Sequence, residues 1–517
     1  MLRLSKKADY ALMAMKHLAT RSDLASASAR EIAEQYDIPV ELMAKVLQRL
    51  ARRGLVTSHQ GTRGGYRLAR GASVISVADI IQAIDGPLTV TACSTEAENC
   101  EQYGKCSVRD PLWRIKDRIL SALATCSLQE VATESPADEP PTPVDPRVLE
   151  TMLPYFSEQF GNAASKQHAY GWEAQKAVDA ARVSIARIIG ASASEIVFTS
   201  GASESNNLAI KGIVRARRDR GDHIITAATE HKSVLDSCRC LEKEGCRVTI
   251  LGVDSQGFID LEELRAAITD RTILISIMAA NNEIGALQPL AEIGALAQGR
   301  GVVFHTDAAQ AAGKVPLDVE AMGVDLLSLT AHKCYGPKGA GALYVRRRKP
   351  RLELQCQIDG GGHENGFRSG TLNVPGIVGL AKALELCRAE MAVESARLAS
   401  LRDRLYQGLT GNLDGVRLNG PAANRRLPHN LHVSFDDIEG EALLMALGDL
   451  AVSTGSACSS GSQAPSHVLH AIGAVGDRAG ASIRFGLGRT TTDADIDFAI
   501  DRVTTVVRAL RTQSVRA

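Results

Sequence analysis

Two polar residues and one run of small residues end or follow apolar runs of the sequence, and their types are those of reactive or ligand-binding groups. Asp307 ends the run VVFHTD, and Lys333 follows the run VDLLSL within SLTAHKCYGPKG. The small residues of TSGAS, at 199–203, end a third run and open a helical pattern. Helix N-termini expose N–H groups that favour a phosphate, and a buried carboxylate needs a cationic partner. A lysine, a carboxylate and a phosphate site are what pyridoxal phosphate requires of a protein.

A second group of reactive side chains consists of three cysteines. Cys93, Cys100 and Cys106 are spaced C-x6-C-x5-C within an acidic, polar stretch. Free cysteines are usually buried, so three of them in a solvated stretch indicate a metal or a cluster. Zinc sites favour closer C-x2-C pairs, whereas iron–sulfur clusters accept looser spacing. The spacing alone leaves a cluster and an incidental grouping as open alternatives.

The elements around the first group alternate between β-branched runs and amphipathic helical patterns. The runs include EIVFTSG, HIITAATEH, TILISIMAANNEIG and VVFHTDAAQ, and one helical segment extends from Trp172 to Ile189 and ends at Gly190. This alternation predicts an α/β fold with a mostly parallel sheet covered by helices on both faces. The active site of such a sheet lies at the carboxyl ends of its strands, which is where the polar residues are.

Residues 1–70 differ from the rest of the chain in charge and in pattern. They contain 13 Lys and Arg against 6 Asp and Glu, an excess that suits the neutralisation of phosphates. Ser28 and Glu31 form a capping-box start for one helix, and the apolar stripe of the next helix ends at Gly54. Two helices followed by a hairpin around 61–65 predict a winged helix-turn-helix that binds DNA, with a plain helical hairpin as the alternative. Its expected DNA contacts are Ser28, Lys45, Arg49, Arg52 and, in the wing, Arg63.

Length and composition set the domain organisation. The 517 residues exceed one ordinary domain, and 45% apolar with 23% charged residues is typical of soluble globular proteins. The stretch VATESPADEPPTP is rich in proline and acid, so we expect domains at 1–132 and 144–517 joined by a semi-rigid linker at 133–143. No signal core or membrane-length apolar run is present. Eleven cysteines without a secretion signal predict reduced thiols in the cytoplasm.

From about Thr142 to Arg511 the sequence resembles the NifS/IscS family of cysteine desulfurases. The resemblance is carried, in order along the chain, by FGNAASKQHAYGWEAQKAVDAAR, FTSGASESNNLAIKG, TEHKSVLD, NNEIGALQ, HTDAAQAAGK, AHKCYGPKG, GGGHENGFRSGT, STGSACSS and SIRFGLGR. These enzymes depend on pyridoxal phosphate and have the fold type I, aminotransferase-like architecture. The resemblance implies a large domain at about 155–385, and a small domain at about 386–517 that includes the segment after the linker.

The resemblance also implies a role for each matching residue. Lys333 would bind pyridoxal phosphate as an aldimine and move protons, while Asp307 would hold the pyridine nitrogen. His231 would stack on the ring and act as an acid and base, and Arg484 would bind the substrate carboxylate. A bidentate arginine–carboxylate pair is one that lysine could not reproduce.

Further matching residues would surround the cofactor. By the same resemblance Gln310 and Asn282 would flank the ring oxygen and the substrate. The phosphate would be bound by Ala202, Ser203, Thr330, His332 and, from the second subunit of a homodimer, Thr371. Because one phosphate ligand comes from the partner, the resemblance predicts a shared active site.

Cys458 matches the cysteine that accepts sulfur in this family. Its surroundings, STGSACSSGSQAPS, contain no bulky apolar anchor and two glycines. This composition indicates a loop that can travel, as a nucleophile that collects and then delivers sulfur must. A buried structural cysteine, the alternative, would have large apolar neighbours. The thiolate would attack the sulfur of the bound substrate and leave alanine and a persulfide.

Residues 1 to about 132 resemble the IscR-type iron–sulfur regulators. The resemblance is carried by MLRLSKKADYALMAM, AREIAEQYDIPVELMAKVLQRLARRGLV, the RGGYRL wing and the three cysteines before PLWRIKDRI. It implies an iron–sulfur cluster, expected as 2Fe–2S, on Cys93, Cys100 and Cys106. The histidine that supplies the fourth ligand in IscR itself is replaced by Arg109, which leaves Asp9 and Asp110 as candidates and the cluster type open.

The sequence departs from the desulfurase pattern at its start. The family begins with a strand that ends in Tyr-x-Asp-x-Ala-Thr-Thr-Pro, and only Thr142 and Pro143 of this segment are present, after SPADEPP. The expected function is conversion of L-cysteine to L-alanine, with sulfur passed to an iron–sulfur scaffold or another acceptor, fused to a DNA-binding regulator. The alternatives are a regulator whose desulfurase half is inactive or serves only in dimerisation or sensing, and a related reaction such as selenocysteine lyase.

Overall fold

The computed structural model contains two compact units, Met1–Pro136 and Ala137–Ala517. The residues that it describes are 5–19, 26–36, 38–59, 65–86, 128, 142–347, 351–453 and 466–514. Several residues singled out above lie outside these ranges, namely Arg63, Cys93, Cys100, Cys106, Arg109, Asp110 and Cys458. Of the predicted linker, only Thr142 and Pro143 are described. Among the described helices, none is both long and apolar enough to cross a bilayer.

The first unit is built from short helices and one hairpin. Its elements are α1 (Lys6–Ala19), α2 (Ala29–Gln35), α3 (Val40–Arg52), β1 (Val56–His59), β2 (Gly65–Leu68) and α4 (Val77–Asp85). β1 and β2 pair antiparallel, with Val56 opposite Leu68 and His59 opposite Gly65. The predicted helix-turn-helix followed by a hairpin is therefore confirmed.

Capping and an apolar stripe explain why α2 and α3 form where they do. The Oγ of Ser28 accepts a hydrogen bond from the Glu31 amide at 3.1 Å, and the Glu31 carboxylate accepts one from the Ser28 amide at 3.4 Å. The predicted capping box is thus present, and it satisfies two amides at the start of the helix. On α3 the buried stripe consists of Met43, Val46, Leu47 and Leu50, and Gly54, at φ 71°, follows its end.

A seven-stranded sheet forms the centre of the second unit. Its strands are β3 (Ile196–Thr199), β4 (His223–Ala227), β5 (Arg247–Leu251), β6 (Thr272–Ser276), β7 (Val303–Asp307), β8 (Leu326–Thr330) and β9 (Gly341–Val345). They are ordered β3-β9-β8-β7-β6-β4-β5. Every neighbouring pair is parallel except the two pairs that involve β9, so the mostly parallel sheet was predicted correctly.

Helices cover both faces of this sheet. After the short helices α5 (Pro146–Met152) and α6 (Pro154–Ser157), these are α7 (Ala169–Ile188), α8 (Ala202–Ala216), α9 (Lys232–Lys243), α10 (Leu261–Ala267) and α11 (Leu290–Gly299). Successive strand residues point to opposite faces, and each face has its own core. Ile225 and Phe304 belong to one core, whereas their neighbours Ile224 and Val303 belong to the other.

The remaining elements are the strands of a three-stranded antiparallel sheet and the helices around it. They are α12 (Val374–Asn412), β10 (Val416–Leu418), β11 (Asn430–Phe435), α13 (Gly440–Ala446), α14 (His467–Ala471), α15 (Asp477–Gly480), β12 (Ser482–Gly486) and α16 (Asp493–Ser514). The first part of α12, with Ile377 and Leu384, packs in the core of the large sheet. Its later part, with Leu401 and Leu405, packs in the core of the small one. The domain boundary expected at about 385 therefore falls inside one continuous helix.

Candidate active site

A cavity of about 510 Å³ opens where β7 and β8 end. Its lining includes Ala202, Ser203, His231, Asn282, Asp307, Gln310, Thr330, His332, Lys333 and Arg484. Of the described residues predicted to bind cofactor or substrate, only Thr371 is not part of this lining. A more open depression of about 990 Å³ lies along α7 and contains none of these residues, so chemistry and not size identifies the site.

The start of α8 gives one end of the cavity the character of an anion site. Gly201, at φ 153°, turns the chain from β3 into α8 and places Ala202 and Ser203 in the first helical turn. A Cβ at Gly341, on β9, would lie 2.5 Å from the Cα of Gly201, so this close approach requires a glycine. The free amides of a helix start can bind a phosphate, and this cup lies in the cavity.

Thr330 and His332 complete the same end of the cavity. Thr330 Oγ1 and His332 Nδ1 lie 2.8 Å apart and share a hydrogen bond. Burial, together with the charges of Lys333 and Lys338, lowers the pKa of His332 to about 4. His332 is therefore a neutral hydrogen-bonding group at pH 7, and the two nearby lysines supply the positive charge.

Asp307 lies deeper in the cavity and is only 4% exposed. Its Oδ2 accepts a hydrogen bond from Asn206 Nδ2 at 2.7 Å, and its Oδ1 accepts one from the amide of Ala309 at 2.9 Å. Within the described part of the chain, no Lys, Arg or His forms an ion pair with it. A buried carboxylate with two neutral donors and no cation suits a protonated pyridine nitrogen, which would supply the missing positive charge.

His231 caps the start of α9 beside the cavity. Its Nδ1 accepts a hydrogen bond from the Ser233 amide at 3.1 Å and lies 2.8 Å from Ser233 Oγ. An amide can only donate, so Nδ1 carries no proton and the neutral ring has its hydrogen on Nε2. Ser233 Oγ also accepts from Asn206 Nδ2 at 2.9 Å. A continuous chain of hydrogen bonds therefore joins His231 to Asp307.

Arg484, on β12, reaches the cavity from the small sheet. It is 4% exposed, and its Nη1 donates to the carbonyl oxygen of Asn282 at 2.6 Å. Its Nε donates to Ser453 Oγ at 3.2 Å, and the two residues also form an isolated β-bridge. These contacts fix the direction of the guanidinium group, which a bidentate grip on a carboxylate requires.

The segment that contains Cys458, residues 454–465, lies outside the described residues, but both of its neighbours contact the cavity region. Ser453 is bonded to Arg484, as above. On the other side, Ser466 Oγ donates to the carboxylate of Glu283. The next residue, His467, has its Nε2 at 3.0 Å from the carbonyl oxygen of Glu230, which immediately precedes His231. The predicted nucleophile is thus connected at both ends to residues beside the predicted substrate site.

Lys333 ends the short 3₁₀ turn Ala331–Lys333 that follows β8. This turn is bonded to Thr142, 190 residues away: Thr142 Oγ1 donates to the carbonyl oxygen of His332 at 2.9 Å. In return, the amide of Tyr335 donates to Thr142 Oγ1 at 2.8 Å. The surviving Thr-Pro of the family's first segment therefore still contacts the turn that carries the lysine.

Sequence reasoning missed Asn206, Ser233 and Thr142 as parts of this site. Asn206 follows Ala202 and Ser203 by four and three residues in α8, a spacing that places them on one helix face. Ser233 is two residues after His231, the N-cap of α9, and the amide at that position commonly donates to the side chain of the cap. The sequence therefore contained a local signal for Asn206 and for Ser233, but it did not show which residues these two and Thr142 would contact.

Thr371, Asp9 and the predicted DNA contacts on α3 are exposed, whereas Ser28 is half-buried and caps α2. In the first unit, Lys45, Arg49 and Arg52 are exposed on α3, and their spacing places them on one face. Asp9 is exposed in the first turn of α1. Within the described ranges there is no group of three or more His, Cys, Asp or Glu residues placed to hold a metal.

Comparison with protein families divides the chain in the same way. Residues 138–498 match the family described as aminotransferase class-V. Residues 4–134 match the Rrf2 family, described as iron-dependent transcriptional regulators.

Individual relatives show which kind of enzyme within the first of these families the chain is similar to. A cysteine desulfurase IscS of Anaeromyxobacter sp. (strain Fw109-5) is 58% identical over 373 residues, which are 72% of this chain and 92% of that protein. IscS of Vibrio cholerae serotype O1 (strain M66-2) is 55% identical over 374 residues, with the same coverage of 72% and 92%.

Solved structures agree with this assignment. A NifS-like protein has a TM-score of 0.66 at 37% identity and covers 71% of this chain and 97% of its own. A NifS-like protein from Rickettsia africae has a TM-score of 0.63 at 30% identity, with the same coverage of 71% and 97%. The fold type I architecture is thereby established. The chain belongs to the aminotransferase class-V family, among the cysteine desulfurases, and carries an Rrf2-family regulator domain ahead of the enzyme.

Proposed function

We propose that the second unit converts L-cysteine to L-alanine and retains the sulfur as a persulfide on Cys458. The observation that carries this proposal is one cavity that brings together Lys333, Asp307, His231 and Arg484. On one side of Cys458, Ser453 contacts Arg484 in the cavity lining, and on the other side Ser466 contacts Glu283, the neighbour of the lining residue Asn282. A cavity with these groups has a place for a cofactor, for an amino-acid carboxylate and for a sulfur acceptor.

The residues present fit pyridoxal phosphate. Lys333 would hold it covalently, and Asp307 would accept a hydrogen bond from its pyridinium. The phosphate would be bound by Ala202, Ser203, Thr330 and His332, with Gln310 beside the ring oxygen. When bound, the cofactor withdraws electrons from the α-carbon of the substrate and so makes bond changes at that carbon accessible.

The chain's own residues then orient the substrate and move protons. Arg484, held by Asn282 and Ser453, binds the carboxylate of L-cysteine. His231 offers Nε2 as the nitrogen that exchanges a proton with the cavity, because Nδ1 is already an acceptor for Ser233. Lys333, whose amine would hold the cofactor, would take the proton from the α-carbon of the substrate and return one later.

The sulfur step balances without an external oxidant. The thiolate of Cys458 attacks the sulfur of the bound cysteine, so that a sulfur–sulfur bond forms while the bond between carbon and sulfur breaks. The electron pair of the broken bond stays with the carbon fragment, which leaves as L-alanine after it gains protons. The persulfide can then be passed to an iron–sulfur scaffold or another acceptor thiol in the cytoplasm, where thiols remain reduced.

Thr371 fits a homodimer with a shared site. It is exposed and does not line the cavity of its own subunit, so it is available to a phosphate bound in the partner's cavity. The start of the unit also exposes large apolar side chains, among them Leu153 (54%), Phe156 (62%) and Phe160 (62%). Such a patch is typical of an interface. A monomer in sedimentation equilibrium of the cofactor-loaded protein would contradict this assignment.

The first unit is proposed to bind an operator through α3 and the wing. Lys45, Arg49 and Arg52 share one exposed helix face, and the hairpin that follows would bring Arg63 to the DNA backbone, with Ser28 at the start of the first helix of the pair. Cys93, Cys100 and Cys106 would bind an iron–sulfur cluster, expected as 2Fe–2S, with Asp9 as the fourth ligand. The exposure of Asp9 leaves its carboxylate accessible for this role.

Replacement of the sulfur acceptor is the first test. With pyridoxal phosphate and a reductant, the wild type should release sulfide and alanine in equal amounts, and Cys458→Ala should release neither while it keeps the bound cofactor's absorption. Cys356→Ala, which removes a half-buried cysteine hydrogen-bonded to Asp359, should behave like the wild type. Wild-type protein that binds the cofactor but releases no sulfide would support the alternative of an inactive desulfurase half.

Removal of one cluster ligand tests the metal assignment. Protein purified without oxygen should contain about two iron atoms per chain and absorb in the visible range. Cys100→Ala should lose the iron and the part of the absorption that the cluster contributes, and keep the absorption of the bound pyridoxal phosphate, because two remaining thiolates and one carboxylate hold a cluster poorly. Cys356→Ala again serves as the control. Equal iron content in both variants would show that the three cysteines do not bind a cluster.

Removal of one cation from α3 tests the DNA surface. Binding of a random-sequence duplex of about 30 base pairs should weaken with rising salt, and for Arg49→Ala the slope of log affinity against log salt should be less steep by about 0.9 if one phosphate contact is lost. Arg187→Ala removes the same charge from an exposed position in the second unit and should leave the slope unchanged. Identical slopes for both variants would exclude α3 as the DNA surface.

A further inference from the structure

Thr142 contacts the lysine-bearing turn on both sides of Lys333. Its amide donates to the carbonyl oxygen of His332 at 3.0 Å, and its Oγ1 donates to the same oxygen at 2.9 Å. Its Oγ1 also accepts from the amide of Tyr335 at 2.8 Å. One hydroxyl group therefore joins the peptide before Lys333 to the backbone two residues after it.

These contacts define the orientation of a peptide that the lysine depends on. The carbonyl group of His332 belongs to the peptide bond whose nitrogen is that of Lys333, and a peptide is planar. When two donors hold that oxygen, the plane is fixed and so is the direction in which the Lys333 side chain leaves the backbone. With the oxygen released, the plane could rotate and carry the lysine amine away from the cofactor.

The turn needs such support because its backbone is unusual. Tyr335 has φ 61°, in the left-handed region that residues other than glycine rarely adopt. Its amide is held by Thr142, and its carbonyl oxygen accepts from the Asp145 amide at 2.9 Å. Its hydroxyl group donates to Glu394 at 3.1 Å and accepts from the Arg489 amide at 2.8 Å. Contacts at both ends of the residue over-determine its conformation.

Thr142 is itself held in place by the residues that follow it. Pro143 restricts the preceding residue to extended backbone. Asp145, 7% exposed, caps α5 and forms ion pairs with Arg147 at 2.8 Å and with Arg489. Hydrogen bonds from Arg147 hold the pKa of the Asp145 carboxyl well below its usual range, although burial opposes this. The carboxylate is therefore charged at every pH at which the enzyme would be assayed.

We propose that Thr142 is a positioning residue for Lys333, and that its hydroxyl group acts by holding the His332–Lys333 peptide. The proposal rests on the assignment of Lys333 as the cofactor lysine. Thr142 is half-buried and Pro143 is exposed, so the pair contributes little to the core and its contacts with the turn are its main structural role. A residue at the end of the predicted linker thereby becomes part of the active site.

The test uses the full chain with three substitutions. Thr142→Val keeps the shape and removes the hydroxyl group, whereas Thr142→Ser keeps the hydroxyl group. Thr151→Val is the matched control, because among the described residues the Thr151 hydroxyl donates only to the carbonyl oxygen of Arg147 in its own helix, at 2.7 Å. The dissociation constant of pyridoxal phosphate is measured on cofactor-free protein by fluorescence. The absorption of the lysine-bound cofactor is then followed against pH.

Thr142→Val should bind the cofactor about ten-fold more weakly, because it loses both hydrogen bonds of the hydroxyl group, the one to the carbonyl oxygen of His332 and the one from the amide of Tyr335, and leaves that oxygen with a single donor, the amide of residue 142. The pH midpoint of its absorption change should also move, because the amine of Lys333 no longer has one fixed environment. Thr142→Ser should restore both values to within about two-fold, or 0.3 pH unit, of the wild type. A Val variant equal to the wild type, or a Ser variant equal to Val, would overturn the proposal.

Two further measurements separate this proposal from the function it rests on. Lys333→Ala should bind the cofactor without the lysine-dependent absorption. If the wild type lacks that absorption, the assignment of Lys333 fails and the role of Thr142 fails with it. If the wild type has the lysine-dependent absorption but the Thr142 variants do not differ from the wild type, the assignment of Lys333 stands and only the proposal about Thr142 fails. Should Thr142→Val not fold, as judged by circular dichroism, Thr142→Ala compared with Thr142→Ser gives the same contrast.

Discussion

The burial of the Asp307 carboxylate is the constraint on which the active site depends. A charge at 4% exposure requires donors, and in the described residues these come from Asn206 and the backbone of Ala309. Asn206 can reach Asp307 only if α8 starts directly after β3, and the same start creates the phosphate cup. One electrostatic requirement therefore sets the place of the helix, the anion site and, through Ser233, the state of His231.

The parallel sheet explains how residues far apart in sequence meet at this carboxylate. β3, β7 and β8 all end at one edge of the sheet, so Ser203, Asp307 and Lys333 meet there although they come from different stretches of the chain. The antiparallel β9 lies between β3 and β8, and Gly341 at its start allows Gly201, in the turn after β3, to approach closely. Arg484 comes from the separate three-stranded sheet. The long helix α12 connects this sheet to the large one.

Features with a local signal could be predicted from the sequence, and features that depend on a distant partner could not. The capping box at Ser28, the alternation of strands and helices, and the cavity residues at strand ends each follow from short patterns. The contact between Thr142 and His332 spans 190 residues, and proline-rich composition around Thr142 indicated only a linker. The domain boundary expected at about 385 came from the family resemblance, and the sequence did not show that one helix, α12, crosses it and packs in both cores.

The anchors around Cys458, the described residues Ser453 and Ser466, limit the reach of this proposed sulfur acceptor. Ser453 is bonded to Arg484, and Cys458 follows it by five residues, so covalent geometry keeps the Cα of Cys458 within about 18 Å of that anchor. On the other side Ser466 is fixed to Glu283, next to Asn282 in sequence. Arg484 and Asn282 are the two residues proposed to hold the substrate. Arg484 contacts the first anchor, Ser453, and Asn282 is next in sequence to the partner of the second anchor. Arg484 thus serves both the substrate carboxylate and the anchor at Ser453. A change that displaces Arg484 would therefore disturb the binding of the carboxylate and the distance that the thiol of Cys458 can reach.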